Sequence, residues 1–170
     1  MPRNLSPSTM DRVGDITRGV HVKTGTIANT VALPSAAYNI FTVRGRIRIL
    51  GLDCEAVTAF AADATLLKWQ FENTTPVVAA ADISAASLSI ASIPIGARVM
   101  WRGTAVNTAP DVSATQASIA VVTDYMDVGT TGGVGIINAT SSIAAQTSGT
   151  CRFNLYYLPI SDGAYVEALV

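Results

Sequence analysis

Apolar and polar residues alternate with a period of two over several stretches of this chain. In Leu67-Lys68-Trp69-Gln70-Phe71-Glu72 and in Cys151-Arg152-Phe153-Asn154-Leu155-Tyr156-Tyr157, apolar side chains fall on one face and mostly polar ones on the other, as a strand with one buried face requires. Further strand-like runs cover Val20 to Thr26, Tyr38 to Val43, Arg46 to Val57, Ala97 to Gly103, Ser118 to Asp124, Gly135 to Ala139 and Ala164 to Val166. Turn residues separate them: Gly25, Asn29 and Pro34, Gly45, Asn107 with Pro110 and Asp111, Gly129 to Gly133, and Ser161-Asp162-Gly163 after Pro159. Strands recurring every 10 to 20 residues or so, with no long helix-period segment between them, predict an all-β fold, an antiparallel sandwich or barrel of jelly-roll-like form. No fixed-period repeat is present, which argues against a solenoid or propeller.

The longest β-like run changes phase. Ile47 and Ile49 are apolar at odd positions beside Arg44, Arg46 and Arg48, whereas after Gly51 the apolar Leu52 and Cys54 take even positions and Asp53 and Glu55 odd ones. A period-two strand cannot exchange its faces without an inserted residue, so a β-bulge or break is predicted at Leu50-Gly51. Residues 74–95 are Ala- and Ser-rich. Within them Asp82 to Leu88 predicts one helical turn, with Asp82 as N-cap and Ile83 and Leu88 as its bulky anchors.

The first 23 residues form an arm by composition. Four basic and two acidic side chains give residues 1–23 a net +2 and leave −3 for the rest, and few large apolar groups are available to bury. Such a segment either frays or orders on a partner. The remaining residues, 24–170, are expected to form a single β domain, since 170 residues suffice for one well-buried core and not for two.

Composition points outward. Charged residues make up 14% of the chain against 49% hydrophobic, and roughly 25% charged is usual for soluble domains. Few charges remain to cover a monomer, which predicts a homo-oligomer whose neighbours cover apolar surface. The stretch from Thr74 to Ala97 is interrupted by Pro76, Asp82 and Pro94, so no transmembrane helix is expected. Met1 to Thr9 lacks the apolar core of a secretion signal, and aromatics are only 6%, so neither export nor an outer-membrane barrel is expected and a cytoplasm-like setting is. A net charge of −1 and a pI near 5.7 speak against a nucleic-acid partner.

Side chains that perform chemistry are scarce. The single histidine, His21, has no nucleophile or orienting group in a local motif, so no catalytic residue is assigned and the chain is not read as an enzyme. One His and two Cys are too few for zinc, and no cofactor is expected. Cys54 and Cys151 each lie in an alternating run, which favours two buried free thiols over a disulfide. The glycines at 129, 132, 133 and 135 lack the Lys-Ser or Lys-Thr of a phosphate loop. Arg44, Arg46 and Arg48 would set three guanidinium groups on one strand face, a stripe able to grip carboxylates of an acidic partner or simply to be solvated. Asp53 and Glu55 share a face and read as salt-bridge partners for arginines rather than as an acid-base pair.

Thr24-Gly25-Thr26-Ile27-Ala28-Asn29-Thr30 leading to Ile40-Phe41-Thr42-Val43, and the closing Leu155-Tyr156-Tyr157-Leu158-Pro159-Ile160-Ser161-Asp162-Gly163-Ala164, resemble small structural proteins of tailed bacteriophages. The strand from Ile49 to Thr58, followed by Leu66 to Asn73, is similar in order and spacing, while residues 74–117 match nothing in that group. The resemblance implies a virion component assembled in the host cytoplasm, a head decoration or cement protein on the outer capsid lattice. Its partner would then be the major capsid protein, its oligomer a trimer at three-fold lattice sites, and Arg3, Arg12 and Arg18 of the arm its first capsid contacts. A tail or baseplate component shares the same fold logic. A carbohydrate- or ligand-binding β-module would instead require exposed aromatics gathered on one face, from among Trp101, Tyr38, Tyr125, Tyr156 and Tyr165.

Overall fold

A computed structural model of the chain describes residues 19–34, 36–101, 108–113 and 125–169. The elements run in the order β1 (Val20–Lys23), β2 (Ile27–Ala28), α1 (Asn29–Ala32), β3 (Ala37–Arg44), β4 (Ile47–Thr58), β5 (Leu66–Thr75), β6 (Val77–Asp82), β7 (Arg98–Trp101), β8 (Asp111–Ser113), β9 (Met126–Val128), β10 (Val134–Ser142), β11 (Thr150–Pro159) and β12 (Tyr165–Ala168). Among the described residues no helix is long and apolar enough to cross a membrane.

The pairing is that of one long hairpin rolled up. Working inward from the chain ends, β1 and β2 pair with β11, β3 with β10, β4 with β7 and β9, and β5 with β6, all antiparallel. Rolling adds β11 against β4 and β10 against β5, which gives the nested Greek keys of a jelly roll. The described strands fall into two sheets, one ordered β1-β11-β4-β7-β8 with β2 beside β11 and β9 beside β4, the other ordered β12-β3-β10-β5-β6. The all-β sandwich read from the alternation is the observed architecture.

Side chains from both inner faces fill the space between the sheets. Trp69, Trp101, Phe41 and Phe153 are its largest fully buried groups, with Ile40, Ile47, Ile49, Leu52 and Leu67 packed among them. In β5, Leu67, Trp69 and Phe71 point inward and Lys68, Gln70 and Glu72 outward, as their alternation requires. Cys54 and Cys151 are buried free thiols; contact with the Cys151 sulfur, together with burial, pushes the Cys54 thiol well up.

β4 contains the predicted bulge. Its register with β11 jumps from Gly51 opposite Tyr156 to Ile49 opposite Tyr157, leaving Leu50 as the extra residue. Ile47 and Ile49 are buried on one side of that step and Leu52, Cys54 and Ala56 on the other, so one strand keeps its apolar set in the core although its parity changes.

Other expectations change. Asp82 to Leu88 is not helical: Asp82 closes β6, where its carboxylate accepts from Lys68 Nζ at 3.1 Å and Gln70 Nε2 at 2.7 Å instead of capping a helix. Of the two supposed anchors Ile83 is buried and Leu88 exposed. β6 itself, and the helical turn α1 in the loop after β2, were not apparent from the pattern. Val20–Lys23, shared by the expected arm and the first strand-like run, is strand β1 against β11, so the run from Val20 is strand over its first four residues. Residues 1–18, with Arg3, Arg12 and Arg18, and the expected strand from Ser118 to Asp124 lie outside the described residues.

The two ends of the roll differ. At one end the chain turns between β3 and β4, where Gly45 adopts φ 75°, and a hydrogen bond from Gly45 N to Gly133 O at 2.9 Å ties in the turn before β10. β1 also starts near this end, Val20 lying opposite Tyr157. The other end collects the connections β2–β3, β4–β5, β6–β7 and β10–β11, and hydrogen bonds join them. Asn29 donates from N to Gly149 O (3.0 Å) and from Nδ2 to Ser148 O (3.1 Å). Gln146 donates from N to Leu33 O and from Nε2 to Asp63 O, and Thr65 Oγ1 donates to Ala144 O. Ser141 Oγ bonds Pro34 O. Ile90 N to Thr65 O and Ser92 N to Ala61 O attach the β6–β7 connection. Asp63 accepts two bonds from Thr147, which hold its carboxyl below the usual carboxylate range.

Gly149 sits where these connections meet. Its φ is 94°, and a Cβ there would lie 2.6 Å from Ala59 O and 2.7 Å from Asn29 Nδ2. Gly149→Ala is expected to cost about 2 kcal/mol or more, from left-handed strain plus the clash, read as a lower urea midpoint at unchanged slope.

Candidate interaction surface

The three clustered arginines do not share one strand face. Arg44 ends β3 in one sheet, Arg48 lies in β4 of the other, and Arg46 sits in the turn between them, because the chain changes sheets at Gly45. Each guanidinium already has an acidic partner in the same chain. Arg44 pairs with Glu167 at 3.6 Å, and Arg46 and Arg48 converge on Asp127 at 3.3 and 2.8 Å. Hydrogen bonds from Arg48 chiefly, with its charge and that of Arg46, hold the Asp127 carboxyl below its ordinary range. Arg48 also lies 3.7 Å over the Tyr125 ring. The expected anion-gripping stripe is therefore divided between two clusters on different sheets, one in which Glu167 balances Arg44 and one in which Asp127 offsets one of the two charges of Arg46 and Arg48.

Across the outer face of the β4 sheet runs a polar row that sequence spacing assembled only in part. Asn154 of β11 donates from Nδ2 to Asp53 Oδ1 at 2.7 Å, and its Oδ1 accepts from His21 Nε2 of β1 at 3.0 Å. From β7, Arg98 reaches Asp53 and Glu55, each at 3.4 Å. His21 stacks on Tyr156, ring centroids 4.5 Å apart. Asp53 and Glu55 thus serve as arginine partners within the chain. These neighbours cover Asp53 to 4% exposure although it faces away from the core, and this burial pushes its carboxyl above the ordinary range, against the bonds from Asn154 and the charge of Arg98.

The exposed tyrosines are divided. Tyr156 faces outward from the β4 sheet and Tyr125 lies over Arg48 of that sheet, whereas Tyr165 belongs to β12 of the other; Trp101 is in the core. Tyr125 and Tyr156 thus belong to one sheet, where Tyr156 stacks on His21, and Tyr165 to the other. Among the described residues, three or more His, Cys, Asp or Glu side chains are nowhere grouped as a metal site requires.

Large aliphatic side chains stand exposed on the loop end. Val31 of α1, Leu88 (75% exposed) and Ile95 (69%) of the β6–β7 connection, and Ile143 (75%) of the β10–β11 connection all belong to loops of that one end. Ile143 has φ 73°, a left-handed conformation that strains a β-branched residue. Isolated aliphatics flanked by turn or small residues, as in Pro94-Ile95-Gly96 and Ser142-Ile143-Ala144, were the available signal for this surface.

The raised carboxyl of Asp53 gives a signed expectation. A carboxyl whose folded pKa exceeds its unfolded one contributes most stability below the unfolded pKa, and that contribution is lost as pH rises through the folded pKa. Relative to Asp53→Asn, the wild-type chain should gain stability as pH falls from neutral toward 3, measured by urea unfolding of both proteins; a difference independent of pH would contradict the burial argument.

Compared with known proteins, the chain matches no family model, no curated protein and no solved structure.

Proposed function

We propose that this chain is a virion structural protein, a decoration or cement subunit that binds the assembled head of a tailed bacteriophage, with the major capsid protein as partner and further copies of itself as neighbours. The observation that supports the reading best is the loop end, where hydrogen-bonded connections hold Val31, Leu88, Ile95 and Ile143 out to solvent. A surface ordered before contact loses little entropy on docking. The likeness of the Thr24 to Val43 and Leu155 to Ala164 segments to phage structural proteins supplies the biological setting.

Magnitudes favour an array over a single tight pair. Burying an aliphatic side chain of this kind is worth roughly 1.5–3 kcal/mol, while association costs about 4–15 kcal/mol in lost freedom. A few such side chains therefore hold one copy weakly, and occupancy accumulates through neighbouring copies and the arm. Binding the assembled shell in preference to its dissociated subunits then stabilises the shell by mass action. A tail or baseplate position uses the same surface chemistry, and its location on the particle distinguishes the two.

The test is reconstitution on heads stripped of the protein, with occupancy read by cryo-microscopy and gel densitometry. Wild type should rebind heads and not isolated tails. Leu88→Ser and Ile143→Asn should each weaken binding by about tenfold, and Ile143→Asn should at the same time raise the melting temperature, because asparagine tolerates the left-handed backbone. Removal of residues 1–18, which spares β1, should lower occupancy with the β fold intact by circular dichroism. Unchanged occupancy in both loop variants would remove the loop end from the mechanism, and binding to tails alone would replace the head with the tail.

A further inference from the structure

Loops run over a protein's surface, where charge is best solvated, yet the loop end of this roll is almost free of it. Residues 29–36, 59–65, 83–97 and 143–149, which form its four connections, hold one charged side chain, Asp63, although 14% of the whole chain is charged. That carboxylate already accepts from Thr147 N at 2.8 Å and from Thr147 Oγ1 at 2.7 Å. Charges on the strands just inside this end answer one another: Lys68 pairs with Asp82 and Arg98 with Glu55, and Arg152 lies opposite Glu55 in register. The opposite end gathers Arg44, Arg46, Arg48, Asp127, Asp162 and Glu167 around its turns. The exposed Val31, Leu88, Ile95 and Ile143 thus stand on the uncharged pole.

We propose, resting on the decoration reading, that the loop end docks on an uncharged, apolar patch of the capsid protein and rejects surfaces of either charge sign. A charged group buried in a contact is costly unless the other side supplies a counter-charge or hydrogen bonds to its ionised form. Apart from Asp63, the side chains of this end supply only hydroxyls and amides. Specificity is therefore a matter of exclusion, because acidic and basic surfaces would both lose their hydration here without compensation. A lipid surface fits less well. These connections contain no Trp, Tyr, Lys or Arg, the side chains with which interfacial segments anchor among headgroups.

Charge variants of both signs test this on heads stripped of the protein. Ser89 is exposed beside Leu88, and Ser89→Asp and Ser89→Lys should each weaken binding by about tenfold or more with the β fold intact by circular dichroism, since each sets an unpaired charge in the contact. Asp63→Asn keeps an acceptor for Thr147 N and should bind as wild type does. Wild-type affinity should change by less than about twofold between roughly 50 and 500 mM sodium chloride. One sign tightening binding while the other weakens it, or a loss of binding in Asp63→Asn, overturns the inference and gives the partner a charged face, while the decoration reading stands. Unchanged binding in both Ser89 variants also overturns it, by removing the loop end from the contact. Capture of wild type by neutral phosphatidylcholine vesicles, or self-association in solution that Ser89→Lys abolishes, overturns it by giving this end to lipid or to a second copy. Wild type that binds no heads at any salt removes the decoration reading and the patch together.

Discussion

Everything in this fold depends on β4 keeping one face in the core over twelve residues while its sequence changes parity halfway. β4 pairs with β11 along nearly its whole length and with β7 and β9 on its other side, so an error of register there would move the buried set of a whole sheet to solvent. The extra residue at Leu50 resolves the conflict. It lets Ile47 and Ile49 share a core with Leu52, Cys54 and Ala56, and it turns Asp53 and Glu55 outward, where Arg98 and Asn154 receive them.

Charge is scarce, and five of the eleven basic side chains are paired inside the chain. Arg44, Arg46, Arg48, Lys68 and Arg98 all face acidic partners in the same molecule. The exposed pairs among them add little to stability, and Asp127 offsets only one of the two charges of Arg46 and Arg48. Aliphatic side chains stand exposed for contact at the loop end and at Val77 and Val78 of β6. Contacts of that type depend weakly on salt and gain strength by repetition.

The sequence made the half-buried strands legible wherever alternation was strong, as in Leu67 to Glu72 and Cys151 to Tyr157, and even the β4 bulge was readable because parity is a strict constraint. Val77 to Asp82 was not readable as a strand. An edge exposed on both faces has no reason to alternate, and an alanine-rich run fits helix propensity as well. The arginine cluster misled for a different reason. Alternation across Gly45 looked continuous, yet the glycine lets the chain turn from one sheet to the other, and no local pattern reveals that the charges meet Glu167 and Asp127 far along the sequence. The loop-end aliphatics escaped because exposure is a tertiary property: Leu88 and Ile83 look alike in sequence, and only the packing separates them.

The placement of β1 gives the molecule a direction. Val20 enters opposite Tyr157, beside the β3–β4 turn, whereas Val31, Leu88, Ile95 and Ile143 crown the far end, and a ten-residue strand such as β11 makes that separation about 33 Å. The preceding 18 residues, fully drawn out, reach at most about 65 Å, enough to return past the crown or to catch a body on the opposite side. On the decoration reading proposed above, one copy would act as a strut with a foot at the loop end and a tether at the opposite pole, load passing along its strands.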